Sequence, residues 1–144
     1  ANVTVTGANA LIDGLIKEGR MDVFLDLHNP APGDKKTFFY ALPADLVKEP
    51  MLGLRDHFIK TATERINEVM PMLDAPKYDG PKYHPLWRQM SGTWVSMNGN
   101  PHTVGLCLET SWNTPKSTTE GYRAVGARLA SAVQTYLGGR PERN

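Results

Sequence analysis

The stretch Met21 to Pro30, MDVFLDLHNP, decides how the rest of the chain is interpreted. Three apolar residues, 23–25, lead into Asp26 and His28, and Asn29-Pro30 ends the run. This pattern predicts a short buried strand whose last residues are polar. Because side chains alternate between the two faces of a strand, we expect Asp26 and His28 on one face and the neighbouring leucines on the other.

A second stretch late in the chain, His102 to Glu109 (HTVGLCLE), has the same form. It predicts an apolar strand that ends in a single carboxylate. Such a carboxylate is costly to bury unless it is paired, protonated or bound to a metal. Ligands in open α/β sheets lie beyond the carboxyl ends of the strands, so His28 and Glu109 are candidates for one site. The alternatives are a structural histidine and a carboxylate that emerges into solvent.

Length and composition set bounds on the protein. The 144 residues predict one domain, 1–144. Sixteen Lys and Arg against 15 Asp and Glu, without a basic block, argue against a nucleic-acid partner. The longest apolar runs are strand-sized, so no membrane-spanning helix is expected. The single cysteine, Cys107, excludes an intrachain disulfide framework and is expected to be an inert buried thiol.

The apolar periodicity predicts three helices and three strands. In chain order they are a helix from Thr6 to Gly19, the strand ending at His28, a strand from Thr37 to Leu42, a helix from Pro50 to Met70, the strand ending at Glu109 and a final helix. We expect Thr6 and Gly19 to cap the first helix. The order predicts an α/β fold with a mixed, mostly parallel sheet flanked by helices.

Two further segments carry specific expectations. Residues 74–101 are rich in Pro, Gly, Tyr and Asn and predict a long irregular segment that forms an ordered wall of a cleft. Its aromatic and imidazole side chains are Tyr78, Tyr83, His84, Trp87 and Trp94.

Ser117 and Glu120 predict a capping box that opens the last helix. The apolar stripe expected on that helix is Tyr122, Val125, Leu129, Val133 and Leu137.

The tripeptides Asp26-Leu27-His28 and Leu108-Glu109-Thr110, in this order and followed by a last helix, resemble the zinc carboxypeptidase family, the M14 metallopeptidases and their deacylase relatives. Ser91-Gly92-Thr93-Trp94 is similar to the segment before the family's glutamate strand. The resemblance implies the C-terminal half of a zinc carboxypeptidase-like (phosphorylase/hydrolase-like) domain. Because many bacterial members act outside the cytoplasm, it favours an extracytoplasmic or secreted protein.

The resemblance also implies roles for individual residues. His28 would be a zinc ligand, and Glu109 would be the general base that takes a proton from the attacking water. Asp26 would act behind the ligand, in the second shell of the metal, or else cap nearby backbone amides.

Three residues after the two strands are candidates for binding a peptide or N-acyl amino acid substrate. Asn29 follows the ligand, and Trp112 and Asn113 follow Glu109. The alternatives are ordinary turn chemistry for Asn29 and packing under the final helix for Trp112.

One departure from the family matters. The family's other two zinc ligands come from an upstream H-x-x-E motif, and none of the histidines at 28, 57, 84 and 102 is followed three residues later by glutamate. The missing ligands would come from an N-terminal half of the domain, or from His84 or His102.

The implied function is metal-dependent hydrolysis of peptide bonds. The alternatives are an N-acyl amino acid deacylase and a non-catalytic peptide- or carbohydrate-binding relative that lacks a complete metal site.

Overall fold

A computed structural model describes residues 3–139, with side chains from residue 7 onward. The elements in this range are α1 (Val3–Lys17), β1 (Val23–His28), β2 (Phe38–Ala41), α2 (Met51–Asn67), β3 (Lys77–Tyr78), α3 (Ser91–Asn98), β4 (Val104–Glu109) and α4 (Thr119–Gly138), with 3₁₀ turns at Ala44–Leu46 and Trp87–Gln89. Among these, none of the helices has the length and apolarity needed to cross a membrane.

The four strands form one sheet in the order β1-β4-β2-β3. β4 lies between β1, to which it is parallel, and β2, to which it is antiparallel, while β3 is parallel to β2. This mixed sheet confirms the predicted α/β class. The pairing of β1 with β4 places His28 directly beside Glu109, so the polar ends of both strands lie at the same edge of the sheet.

The two faces of the sheet have different chemistry. On one face, apolar side chains of β2 and β4 pack against α2 and α4, forming the main hydrophobic core. Its members include Phe39, Phe58, Ile66, Leu106, Leu108, Leu129 and Tyr136. The opposite face carries Asp26, His28, Cys107 and Glu109, because these residues alternate with Leu25, Leu106 and Leu108, which lie on the core side. The expectation that β1 is buried is wrong, because its residues are half-buried or exposed at the edge of the sheet and Leu27 is 65% exposed.

Helix α3 covers part of this second face. It lies so close to β4 that a Cβ atom on Gly105 would be 2.7 Å from the Gly92 carbonyl oxygen. The two glycines therefore permit a backbone approach that larger residues would block. The expectation of an irregular segment over 74–101 is wrong for α3 and for the short β3. The buried positions of α3 are Gly92, Thr93 and Val95, which do not give an apolar stripe.

The helix boundaries differ from the predictions in detail. Gly19 ends α1 with a φ of 66°, as expected, whereas Thr6 already lies inside that helix and does not cap it. α2 ends at Asn67 instead of Met70. The predicted capping box is wrong, because Thr118 is the N-cap and accepts a hydrogen bond from the Gly121 amide.

The buried stripe of α4 is also displaced from the predicted one. It consists of Val125, Leu129, Ala132 and Tyr136. Tyr122 and Leu137, which the apolar periodicity assigns to the core, are exposed.

Candidate metal and catalytic site

A cavity of about 280 Å³ opens where the polar ends of β1 and β4 meet α3. The residues that line it are Asp26, His28, Asp79, Met90, Ser91, Gly92, Cys107 and Glu109. The sheet pairing explains this grouping, because Asp26 lies beside Cys107 and His28 lies beside Glu109 on adjacent parallel strands. The structure therefore brings together the two residues, His28 and Glu109, that the sequence singled out.

Asp26 holds His28 in position. One carboxylate oxygen, Oδ1, lies 2.9 Å from His28 Nδ1, and the Ser91 hydroxyl donates a hydrogen bond to the other oxygen, Oδ2. A carboxylate that accepts a hydrogen bond from one ring nitrogen fixes the tautomer and orientation of a histidine. The structure therefore places Asp26 in contact with His28, while its role behind a metal ligand stays a prediction. Ser91, which the sequence did not identify as part of the site, contacts Asp26.

Cys107 lies at the centre of the cluster. It is buried, as expected, and its Sγ lies 3.7 Å from His28 Nδ1 and 3.8 Å from Glu109 Oε1. Burial, together with the nearby charges of Glu109 and Asp26, raises the pKa of the Cys107 thiol well above its usual range. Without a cation nearby, the thiol therefore stays protonated. Its position between an imidazole and a carboxylate was not expected from the sequence, which indicated an inert core residue.

Glu109 is half-buried, and its Oε2 atom has no hydrogen-bond partner among the described residues. Burial raises the pKa of the Glu109 carboxyl, while the neighbouring His28 opposes that shift. A cavity-lining carboxylate with a raised pKa and an unpartnered oxygen has the properties required of a general base or acid.

Asp79 is a further acidic residue of the cavity, and the sequence did not single it out. It directly follows β3 and is only 2% exposed. Its Oδ2 accepts a hydrogen bond of 2.8 Å from the Thr93 hydroxyl, and its Oδ1 has no partner within the described part of the chain. Burial raises the pKa of Asp79, with the Thr93 hydrogen bond and the charge of Arg55 acting in the opposite direction.

Three of these residues have the chemistry of a metal site. One donor atom from each of Asp26, His28 and Cys107 lies within 4.8 Å of the others. Zinc bonds of about 2.0–2.3 Å place the donors of one site within about 4 Å of each other, so a small adjustment would bring all three onto one ion. Glu109 adjoins this group through its other oxygen, Oε1, which lies 3.8 Å from Cys107 Sγ. The donor set therefore fits zinc, and neither His84 nor His102 belongs to it in the described structure.

The three candidate substrate-binding residues lie at the rim of the site, in the loops that follow β1 and β4. The Asn29 side-chain amide donates to the Thr110 carbonyl at 2.8 Å, and the Trp112 indole donates to the Pro30 carbonyl at 2.7 Å. Asn113 is exposed and donates to the Pro32 carbonyl at 3.4 Å. These bonds hold the two loops together. None of the three residues lines the cavity itself, and their contact with substrate stays a prediction.

The segment 74–101 contributes to the walls of two cavities: Asp79, Met90, Ser91 and Gly92 line the one that contains His28, and the tyrosines line a different one. Tyr78 and Tyr83 are exposed and line a cavity of about 440 Å³ with Pro43 and Leu46, whereas Trp87 is buried. This second cavity shares no lining residue with the one that contains His28.

In comparisons with known proteins, no family model matches the chain, and no curated protein or solved structure matches it.

Proposed function

We propose that this protein catalyses metal-dependent hydrolysis of peptide bonds, with His28 as a metal ligand and Glu109 as the general base. One observation carries the proposal. His28 and Glu109 are direct neighbours at the carboxyl ends of adjacent parallel strands, and a carboxylate oxygen of Glu109 is buried at that point without a partner among the described residues. Catalytic sites of α/β proteins are found at this edge of the sheet.

Zinc is the metal that best suits the donor types present. Asp26, His28 and Cys107 supply oxygen, nitrogen and sulfur donors within reach of one another, and catalytic zinc uses three such protein ligands and an open fourth position. When bound, the metal lowers the pKa of water and polarises the carbonyl of the scissile bond.

Glu109 moves the proton in this scheme. Its carboxylate accepts a proton from the attacking water and then delivers it to the leaving nitrogen. Burial raises the pKa of Glu109, which makes its carboxylate a stronger proton acceptor than that of a fully solvated glutamate.

Asp26 and Ser91 position the ligand. Asp26 restrains the imidazole of His28 through a contact of 2.9 Å, and Ser91 donates to the second oxygen of Asp26. In the metal-free chain these contacts reduce the rotational freedom of both His28 and Asp26, so less conformational entropy is lost when the two side chains bind a metal.

The substrate class follows from the family resemblance. A peptide is the first choice, and an N-acyl amino acid is the alternative that the deacylase branch implies. The same resemblance implies that an N-terminal half of the domain contributes further substrate contacts.

Hydrolysis assays on the zinc-loaded chain test the proposal. A peptide with a free C-terminus and an N-acyl amino acid serve as the two substrates. Glu109→Gln keeps the shape of the side chain and removes the proton acceptor, so the rate should fall by about 10²–10⁴. The matched control is Glu64→Gln, an exposed residue of α2 on the opposite side of the sheet, which should leave the rate unchanged.

Two results would contradict this function. If Glu109→Gln retained the wild-type rate, Glu109 would not be the base. If the zinc-loaded chain hydrolysed neither substrate but still bound the peptide, the protein would be a non-catalytic peptide-binding relative.

A further inference from the structure

We propose that Cys107 is a metal ligand, so that Asp26, His28 and Cys107 form a complete three-donor site for a thiophilic divalent cation within this chain. The inference rests on the proposed function, since it names the ligands of the metal used there. It departs from the family resemblance, in which the ligands other than the one matching His28 come from an upstream H-x-x-E motif.

The sheet geometry supports a shared ion. Asp26 and Cys107 are register partners on adjacent parallel strands, and His28 lies two residues after Asp26 on the same face. The contacts are 2.9 Å between Asp26 Oδ1 and His28 Nδ1 and 3.7 Å between His28 Nδ1 and Cys107 Sγ. All three side chains extend from regular strands, which hold donors more precisely than loops do.

The charge of the cavity provides a separate argument for a cation. Its lining includes three carboxylates, Asp26, Asp79 and Glu109, and no lysine or arginine among the described residues. Asp79 is 2% exposed, and its Oδ1 lacks a hydrogen-bond partner in the same part of the chain. A buried, unpaired carboxylate oxygen is costly, and a cation in the cavity would offset that cost.

The donor types select among metals. A thiolate favours zinc, cobalt and cadmium, whereas magnesium and calcium require oxygen donors. Three protein donors leave a tetrahedral ion one open position, as in catalytic zinc sites. Glu109 Oε1 lies 3.8 Å from the sulfur, so the proposed base adjoins the ion that this site would hold.

Cobalt spectroscopy tests the inference directly. The full chain is stripped with chelator and titrated with Co²⁺ alone, and the absorption spectrum is recorded. A thiolate ligand gives a sulfur-to-cobalt charge-transfer band in the near ultraviolet, and Cys107 is the chain's single cysteine. The wild-type chain should therefore show this band at saturation. Magnesium and calcium in excess should leave the band unchanged.

Two variants complete the design. Cys107→Ser should lose the band and weaken cobalt affinity by more than about tenfold, because even the outer partners of metal ligands are worth about 10–100-fold in affinity. Met90→Leu removes the other sulfur that lines the cavity and should keep both the band and the affinity. Far-ultraviolet circular dichroism shows whether each variant is folded. If a variant does not fold, the presence or absence of the charge-transfer band in the wild-type spectrum still decides whether Cys107 binds the metal.

The outcomes separate this inference from the proposed function. A wild-type chain without the charge-transfer band overturns the inference. If that chain still binds cobalt, and His28→Ala abolishes the binding, the metal is held without Cys107 and the proposed function stands. If the band appears while the zinc-loaded chain hydrolyses neither substrate, the site is confirmed and the proposed function fails.

Discussion

Replacing Gly105 by alanine should destabilise the protein, because the space above this residue is already filled. A Cβ atom at position 105 would lie 2.7 Å from the Gly92 carbonyl oxygen and 2.9 Å from Ser96 Oγ. Real Cβ atoms do not approach backbone oxygen so closely, so α3 would have to move away from β4. Overpacking of this kind costs about 1–3 kcal/mol, and we expect a loss of that size in the free energy of unfolding.

The assay is a urea titration of Gly105→Ala beside Gly126→Ala. Gly126 lies within α4 and is exposed, and a methyl group at its Cβ position would meet nothing within 4 Å. Alanine there should stabilise the helix by about 0.5–1 kcal/mol. The two substitutions should therefore shift the unfolding midpoint in opposite directions. A midpoint for Gly105→Ala equal to or above that of the wild type would refute the close packing of α3 on β4.

Two further predictions concern the same region. Burial raises the pKa of Asp79 in the folded protein, so its contribution to stability is fully present below its ordinary value of 3.8 and is lost as the pH rises through the folded pKa. Asp79→Asn should therefore stabilise the metal-free protein at neutral pH by about 1–3 kcal/mol. Urea titrations between about pH 3 and about pH 7 span the ordinary carboxyl pKa and the range above it. The gain in the free energy of unfolding caused by Asp79→Asn should become smaller as the pH falls. A gain that does not depend on pH would show that the charge of Asp79 is not its cause. Trp112→Phe removes the hydrogen bond to the Pro30 carbonyl and should cost about 0.5–1.5 kcal/mol; an unchanged midpoint in the same titration would show that the loops are held by other contacts.

The two strand ends could be predicted from the sequence because their signal is local. An apolar run that ends in polar residues indicates β1 and β4, and the two-residue period places Asp26 and His28 on one face. The α/β class follows from the order of the elements. These features depend on neighbouring residues, and the structure has β1 ending at His28 and β4 ending at Glu109.

The features that the sequence did not predict depend on tertiary contacts. α3 has no signal in the apolar pattern because its buried positions are glycine, threonine and valine, which do not produce a helical stripe. Its burial depends on a close approach to β4 that no local pattern encodes. The displaced stripe of α4 has a similar origin, because Ala132 and Tyr136 are buried in place of Leu137.

The candidate site also contains residues that the sequence predicted and residues that it did not predict. In the sequence, Cys107 cannot be distinguished from the other apolar residues of its strand. Its contacts with His28 and Glu109 depend on the register of β1 against β4. The alternation of side chains does place Cys107 on the face of Glu109, and this is the signal that could have identified it. Asp79 lies in a segment expected to be irregular and has no comparable signal.

The count of zinc ions per chain tests the central claim most directly. The chain is stripped with chelator, reloaded with zinc and dialysed, and metal is measured for the wild type, His28→Ala and His57→Ala. His57 is an exposed histidine of α2 and serves as the matched control. We predict about one zinc per chain in the wild type and in His57→Ala, and its loss in His28→Ala. A wild-type chain that retains no zinc, or a His28→Ala chain that retains as much as the wild type, would contradict a metal site built on His28.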